Sequence, residues 1–464
     1  MQKTISPVSP SVQANYLSEF VAQYSDRTKT SKQIAQTHRA TLADNRVSAN
    51  FNLALKEICY PIVANKSLGS KIWDADGNEY IDVVMGFGVN LFGHNPPFIK
   101  AALIEQLDKG IHLGVQTELA GEVAQLITEM TGMERVAFSN TGTEAIMSAI
   151  RIARATTKRN KVAIFSGSYH GHFDGTLVKN KEINGNLTTV TIDSGTPPKF
   201  AEDVLVLDYG NLRSLDIIEA NKNELAAILV EPVQSSRIDF QQREFLHQLR
   251  QITTQLDIAL IFDEMVSGFR IHPGGAQAWF NVSADIATYG KIVGGGMPIG
   301  VIAGKAKYMD KIDGGMWKYG DDSYPQIEQT FFAGTHCKHP LSLAAARVVL
   351  QHLKAQGATL QTQLNQRTTQ FIQTLNIYFE AGKIPIKMIN FRSLFGSAGS
   401  ESSNNSGDSS SLGLNLLSYH LTHQGVLSRG GSGFLSTAHT DEDINCIVLA
   451  VQDSINNLRL GGLL

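Results

Sequence analysis

The stretch Leu260-Ile-Phe-Asp-Glu-Met-Val266 decides the fold class, because a short apolar run ends there in two carboxylates. Similar apolar runs occur at 136–138, 161–165 and 226–230, and they alternate with helical stretches such as 119–130. Strands of a parallel sheet are buried on both faces and therefore have continuous apolar sequences. The sequence predicts an α/β fold whose ligands bind beyond the carboxyl ends of the strands.

The composition excludes several classes of function. The chain has 464 residues, a net charge of −3 and three scattered cysteines, Cys59, Cys337 and Cys446. Such a balance gives no electrostatic case for binding nucleic acid or an anionic membrane, and the cysteines make neither a zinc site nor a disulfide framework. No apolar run reaches the length of about 18 residues that could span a bilayer. We therefore expect a cytoplasmic protein without a bound metal.

The order of patterns along the chain predicts four regions. They are a non-globular tail or linker at 1–45, the first part of a small domain at 46–105, a large domain at 106–340, and the rest of the small domain at 341–464. Within the polar tail we expect one helix, at 12–23. The Ser-rich stretch 396–413 is expected to be a flexible surface loop.

One strand end carries the sequence Ser139-Asn-Thr-Gly-Thr-Glu-Ala145, which opens a helix. A helix N-terminus offers unpaired N–H groups and the positive end of a dipole, which together suit a phosphate. Gly142 would permit close approach, and the Thr143 hydroxyl could donate a hydrogen bond. Alternatively, Thr141 and Thr143 only cap the helix.

A second strand end carries Phe165-Ser-Gly-Ser-Tyr-His-Gly171. Tyr169 could lie flat against an aromatic ring there. Read singly, the pair of Tyr169 and His170 is more often structural.

A third strand end carries Glu231 and Gln234, on either side of Pro232 and Val233. Proline ends the pairing of a central strand, so both polar groups are placed just beyond the sheet. Gln234 could donate a hydrogen bond to a phenolic oxygen.

Asp263 and Lys291 are the candidates for catalysis. A carboxylate at the end of so apolar a strand is costly to desolvate without a cationic partner such as a protonated pyridine nitrogen, and a structural ion pair is the alternative. Lys291 lies in Gly290-Lys-Ile-Val-Gly-Gly-Gly296, whose apolar, glycine-rich setting would keep its amine neutral and able to attack a carbonyl. Most lysines are instead solvated surface charges.

Taken in order, these motifs resemble those of the class III aminotransferases of pyridoxal-5′-phosphate (PLP) fold type I, over roughly residues 50–450. Within that class, the resemblance is to glutamate-1-semialdehyde aminomutases and to aminotransferase domains of hybrid polyketide and non-ribosomal peptide synthases. Three stretches are similar to the synthase-embedded group, namely Met85-Gly-Phe-Gly-Val-Asn-Leu-Phe-Gly-His94, Phe331-Phe-Ala-Gly-Thr-His-Cys-Lys-His-Pro340 and Leu435-Ser-Thr-Ala-His-Thr-Asp-Glu-Asp-Ile444. The resemblance implies a large domain with a mostly parallel seven-stranded sheet flanked by helices, and a smaller α+β domain built from the N- and C-terminal segments.

The resemblance also implies a role for each candidate residue. Lys291 would hold PLP as a Schiff base, and Asp263 would pair with the pyridinium nitrogen. The other cofactor contacts would be phosphate binding by Gly142 and Thr143, stacking by Tyr169 and Met265 on the two ring faces, a hydrogen bond from Gln234 to the ring hydroxyl, and a contact of Thr335 with the phosphate of the neighbouring subunit. Glu231 and His170 would support the site. The Thr335 contact implies a homodimer.

The reaction implied is a ping-pong amino transfer with glutamate or glutamine as the donor. We expect the acceptor to be a β-ketoacyl thioester on an acyl carrier protein in natural-product biosynthesis, which would yield a β-amino acyl chain. The alternative is an intramolecular transfer like that of glutamate-1-semialdehyde 2,1-aminomutase, which needs no external donor. A third possibility is a protein of this fold that binds without catalysis, since a fold alone does not determine function.

Overall fold

The computed structural model describes residues 10–45, 51–398 and 409–464, and a seven-stranded sheet forms its centre. The strands lie in the order Arg135–Ser139, Gly300–Gly304, Ile286–Tyr289, Ala259–Asp263, Leu225–Val230, Lys161–Phe165 and Val204–Leu207. Gly300–Gly304 is antiparallel to both neighbours, and the other pairs are parallel. The predicted α/β architecture with a mostly parallel seven-stranded sheet is confirmed.

Hydrophobic clusters cover both faces of this sheet. Along the Lys161–Phe165 strand, Ala163 and Phe165 belong to one cluster, whereas Val162 and Ile164 belong to another. Because successive side chains of a strand point to opposite faces, the two clusters are separate layers of core. All residues of Leu225–Val230 are buried, as its continuous apolar sequence predicts.

Helices supply most of these layers. Apart from a four-residue turn at Met85–Gly88, the α-helices of the described residues are Pro10–Arg27, Lys29–His38, Pro97–Lys109, Leu119–Thr131, Gly142–Thr157, Arg213–Ala220, Arg243–Gln255, Gly275–Phe280, Ala306–Asp313, Pro340–Gln356, Ala358–Ala381, Ser409–His423 and Asp441–Leu460. Within the described part of the chain, none of them combines the length and the apolar character that crossing a bilayer requires.

Three smaller sheets lie outside the central one. They consist of Ala64–Leu68, Lys71–Asp74, Glu79–Asp82 and Val426–Leu427; of Met388–Phe391, Leu394–Ser397 and Gly433–Phe434; and of Val178–Ile183 with Asn186–Thr191. In the first, Val426–Leu427 pairs in parallel with Glu79–Asp82, so that segments from both ends of the chain build one unit. This pairing is what the resemblance implied for the smaller unit.

Over residues 10–38 the structure differs from the non-globular tail expected at 1–45. Pro10–Arg27 and Lys29–His38 are helices, and the first includes the helix expected at 12–23. Residues 1–9 and 46–50 lie outside the described residues.

The reason for this difference is long-range packing. Phe20 and Tyr24 are 4% and 2% exposed, and they pack with Leu416 and Leu458 from the C-terminal part of the chain. The Phe20 ring stacks on His420 with centroids 3.9 Å apart. An apolar stripe at four-residue spacing needs such a partner surface before it contributes to a core.

The Ser-rich stretch 396–413 also has more regular structure than expected. Residues 399–408 lie outside the described residues. On either side of them, the Leu394–Ser397 strand ends and the Ser409–His423 helix begins, so regular structure extends into both ends of the expected loop.

Replacing Phe20 by alanine is expected to lower the free energy of unfolding by about 3–5 kcal/mol, the usual effect of truncating a buried phenylalanine. Denaturant unfolding followed by circular dichroism measures this change. Val12→Ala is the control, because Val12 lies on the same helix and is 45% exposed, and we expect it to stay within about 0.5 kcal/mol. An effect of Phe20→Ala as small as that of Val12→Ala would contradict the packing of this helix into the core.

Candidate active site

A cavity of about 200 Å³ lies beyond the carboxyl ends of the central strands. Its wall contains eight of the ten site residues predicted from the sequence: Gly142, Thr143, Tyr169, His170, Glu231, Asp263, Met265 and Lys291. The reason is topological, because the carboxyl ends of neighbouring parallel strands meet at one edge of a sheet. Gln234 and Thr335 are outside this wall.

Asp263 is buried at the end of its strand and is hydrogen-bonded to His170. His170 Nδ1 lies 2.8 Å from Asp263 Oδ2, and the backbone N–H of Met265 donates to Asp263 Oδ1 at 3.1 Å. These two contacts fix the orientation of the carboxylate. His170 Nε2 is buried and has no hydrogen-bond partner among the described residues. His170 therefore positions Asp263, and the carboxylate keeps oxygen lone pairs for a further donor.

Glu231 is a second buried carboxylate in the same wall. It accepts hydrogen bonds from the backbone N–H groups of Ser235, at 2.9 Å, and Tyr169, at 3.4 Å. Burial raises the pKa of Glu231 to about 7, and the negative charge of Asp263 adds to the rise. Glu231 can therefore gain or lose a proton near neutral pH.

Lys291 follows the Ile286–Tyr289 strand and begins a short 3-10 turn. Its φ of +44° is a left-handed conformation that non-glycine residues rarely adopt, which indicates a constrained backbone. Burial lowers the pKa of the Lys291 amine, the carboxylates of Asp263 and Glu231 oppose this effect, and the positive charge of Arg270 reinforces it. A lysine amine that loses its proton more readily can act as a nucleophile and as a base.

The two threonines at the start of the Gly142–Thr157 helix have different roles. Thr141 Oγ1 accepts a hydrogen bond from the backbone N–H of Glu144 at 3.2 Å, so Thr141 caps the helix, as the alternative interpretation of the sequence predicted. Thr143 Oγ1 instead accepts from the backbone N–H of His172 at 3.3 Å, which leaves its own hydroxyl proton for another acceptor.

Glycines keep this end of the cavity narrow and free of side chains. A Cβ on Gly142 would lie 2.8 Å from Met265 Sδ, and a Cβ on Gly171 would lie 2.3 Å from Thr143 Oγ1. Gly171 also has a φ of +79°, which favours glycine. The N–H groups of Gly142 and Thr143 belong to the first turn, where no intrahelical acceptor exists, so they are available to an anion.

Gln234 and Thr335 lie outside the cavity wall, whereas Tyr169 is in the wall but largely exposed. Gln234 Nε2 donates to Ser166 O at 2.7 Å and to Ser168 Oγ at 2.8 Å, so its donors are directed away from the cavity. Thr335 is exposed and outside the wall. Tyr169 lines the cavity and is 66% exposed.

Sequence reasoning missed Ser235 and Arg270. Ser235 lines the cavity and binds Glu231 through its backbone, a role that no side-chain pattern announces. Arg270 is 2% exposed, and its positive charge is one of the causes that lower the pKa of Lys291. A single signal could have found it, because Arg270 interrupts the apolar sequence between Phe269 and Ile271.

Comparisons with known proteins agree with this geometry. The family model "Aminotransferase class-III" matches residues 54–431. Among curated relatives, glutamate-1-semialdehyde 2,1-aminomutase of Alkaliphilus oremlandii is 35% identical over 86% of this chain and 92% of its own, and that of Archaeoglobus fulgidus is 33% identical over 85% and 93%.

Solved structures give the same answer for the fold. An omega-transaminase from Sphaerobacter thermophilus superposes with a TM-score of 0.80 and 27% identity, covering 92% of this chain and 98% of its own. A beta-phenylalanine aminotransferase from Variovorax paradoxus superposes with a TM-score of 0.79 and 27% identity, covering 96% and 98%. The implied PLP fold type I is therefore confirmed.

The cofactor is pyridoxal 5′-phosphate, as expected, and the wall of the cavity fits it. A partly buried lysine at 291, whose amine has a lowered pKa, suits the aldehyde, and a buried carboxylate at Asp263 suits a cationic ring nitrogen. The free N–H groups at Gly142 and Thr143 suit the phosphate. The individual contacts of each residue with PLP remain predictions.

Glu231→Gln is expected to change how stability depends on pH in the PLP-free protein. The pKa of Glu231 is about 7 in the folded chain against an ordinary 4.5, so between these values the folded state binds more protons and the free energy of unfolding falls as pH rises. Glutamine has no such proton. The stability of the Gln variant relative to the unchanged protein should therefore increase from about pH 4.5 to about pH 7 and then level off.

Denaturant unfolding at a series of pH values measures this difference. The matched control is Glu182→Gln, because Glu182 is exposed. A pH-independent difference for the Glu231 variant would show that Glu231 is not a shifted carboxyl group.

Proposed function

Because the chain belongs to the class III aminotransferases, we propose that it catalyses an intramolecular amino transfer on an amino-aldehyde of the glutamate-1-semialdehyde class. The observation that carries this proposal is the 35% identity to a glutamate-1-semialdehyde 2,1-aminomutase over 92% of that protein's length. A relationship of that extent includes the cavity and the surrounding walls, so it supports the same substrate class.

The residues of the cavity divide the chemistry between them. PLP, when bound, supplies an electron-accepting ring. Lys291 takes the proton from the substrate carbon that carries the amino group, because burial favours its neutral form. Asp263, oriented by His170 and by the N–H of Met265, keeps a negative charge at the site of the ring nitrogen. Glu231 provides a second proton acceptor in the same wall.

A second candidate is amino transfer from glutamate or glutamine to a β-ketoacyl thioester on a carrier protein. Two observations favour it. The three stretches at 85–94, 331–340 and 435–444 resemble synthase-embedded aminotransferases, and the fold matches a beta-phenylalanine aminotransferase over 98% of that chain.

Supply of an amino donor separates the two candidates. The PLP-loaded protein would be incubated with glutamate-1-semialdehyde alone, and separately with carrier-bound β-ketoacyl chains plus glutamate or glutamine, and products would be identified by mass spectrometry. We expect sustained turnover of the semialdehyde with no added amino acid. The Lys291→Ala variant is the control and should lose turnover in both assays. Amination of the carrier-bound chain without turnover of the semialdehyde would replace the first proposal with the second.

We also propose that the chain forms a homodimer. Two segments carry several exposed apolar side chains, which monomeric proteins rarely display. In the first, Leu107 and Val115 are 53% and 68% exposed. In the second, Met316 and Phe331 are 75% and 77% exposed, and Phe331 lies four residues before Thr335. A partner seated on these segments would bury them and would lie beside Thr335.

Leu107→Asp combined with Val115→Asp is expected to convert the dimer to a monomer, because two carboxylates would be desolvated at the contact. Size-exclusion chromatography with light scattering gives the mass directly. Ile377→Asp is the matched control, since Ile377 is 68% exposed on the Ala358–Ala381 helix. A monomeric unchanged protein, or a dimer insensitive to both substitutions, would contradict this interface.

A further inference from the structure

A cleft of about 750 Å³ lies apart from the active-site cavity and shares no lining residue with it. One wall is a face of the Ala358–Ala381 helix that carries threonine, asparagine and glutamine side chains at helical spacing. The facing wall includes Trp279 and Arg392. Clefts that hold small molecules have volumes of about 300–1,000 Å³. This cleft therefore has the size of a ligand site.

Asn365, on the helical wall, has a buried amide that no other residue satisfies. It is 6% exposed, and neither its Oδ1 nor its Nδ2 has a hydrogen-bond partner in residues 10–45, 51–398 and 409–464. A polar helix face is ordinarily solvated, but a buried amide without partners is costly and rare in native proteins. Because Asn365 lines the cleft, the missing partner has to come from there.

Arg392 brings an unpaired cation to the same cleft. The carbon of its guanidinium lies 3.6 Å from the centroid of the Trp279 ring. Burial lowers the pKa of Arg392, and no carboxylate of the described residues opposes this effect. No acidic residue belongs to the described lining of the cleft. The lining therefore carries a positive charge with nothing to neutralise it, which favours an anion.

The backbone holds Arg392 in a conformation that non-glycine residues rarely adopt. Its φ is +58°, in the left-handed region, and it lies in the turn between the Met388–Phe391 and Leu394–Ser397 strands. Asn390 Nδ2 donates to the backbone oxygen of Arg392 and to Thr369 Oγ1, both at 3.1 Å, which ties the turn to the helical wall. Strained residues persist where their surroundings determine them, and they are frequent at binding sites. The cation is thus presented by a fixed turn.

We propose that this cleft binds a small polyhydroxylated anion, of the class of sugar phosphates and sugar acids. The planar guanidinium of Arg392 matches the oxygens of a phosphate or a carboxylate. Each amide of the helical wall offers donors and an acceptor, which complement the neighbouring hydroxyl groups of a sugar. Trp279 supplies apolar surface for carbon–hydrogen groups. The cleft is separate from the active-site cavity, so binding there does not depend on which acceptor the enzyme uses.

Isothermal titration calorimetry of the PLP-loaded protein tests this proposal. Glucose 6-phosphate and gluconate would be titrated at concentrations up to about ten times a millimolar Kd. Glucose and inorganic phosphate probe the polyol and the anion alone. We expect saturable binding of at least one anionic polyol and about tenfold weaker binding of both partial probes, since each lacks half of the contacts. Comparison of the two anions shows whether the site prefers a phosphate or a carboxylate.

Two substitutions locate the binding in this cleft. Arg392→Gln should weaken the affinity about 10- to 100-fold, because it removes charge-assisted hydrogen bonds. Asn365→Leu should weaken it about three- to tenfold without lowering the free energy of unfolding, because it removes an amide that the protein alone does not satisfy. The visible absorption of the bound cofactor reports whether each variant is folded.

Lys66→Gln is the matched control. The amine of Lys66 also lies over a tryptophan ring, 4.7 Å from the centroid of Trp73, but neither residue lines the cleft. Its affinity for the anionic polyols should equal that of the unchanged protein.

Three results would overturn the proposal. They are the absence of binding for both anionic polyols, an unchanged affinity in folded Arg392→Gln, and a loss of stability in Asn365→Leu, which would mark its amide as part of the fold. If Arg392→Gln does not fold, the affinity and the stability of Asn365→Leu decide the question.

Discussion

The burial of opposite charges at one edge of the sheet is the constraint on which the site depends. Asp263 ends one strand and Glu231 directly follows another, and all residues of both strands are buried, so both carboxylates leave water when the sheet forms. Hydrogen bonds from His170 and from backbone N–H groups compensate for this lost hydration only in part. Lys291 lies within reach of both charges. The fold therefore creates a cavity that favours a ligand with a cationic ring and an anionic tail.

The central part of this arrangement could be predicted from sequence because it follows a local rule. Asp263 and Glu231 each stand directly after an apolar run, and Lys291 precedes three glycines. Parallel strands then bring the three together without further information. Such a rule does not predict the direction in which each side chain points. Gln234 stands in the same pattern, yet its amide donates to Ser166 and not into the cavity, because a side chain can turn to either side of a strand end.

The features that sequence did not predict all depend on contacts between distant segments. A helix was expected at 12–23, but its packing into the core could not be predicted, because it depends on His420 and Leu458 from the C-terminal part of the chain. The contacts of Arg270 come from Gly88, almost two hundred residues earlier, and from Ser393, more than a hundred later. A local pattern can identify an unusual residue in such cases, but it cannot identify the partners that explain it.

The electrostatics of Lys291 follow from a balance in which Glu231 is the variable member. Its pKa of about 7 means that, near neutral pH, Glu231 is neutral in part of the molecules. In those molecules Glu231 carries no charge and no longer raises the pKa of Lys291. Burial and the positive charge of Arg270, which lower that pKa, are then opposed by Asp263 alone. Gain of a proton at Glu231 therefore promotes loss of a proton at Lys291, so the two groups titrate as a coupled pair.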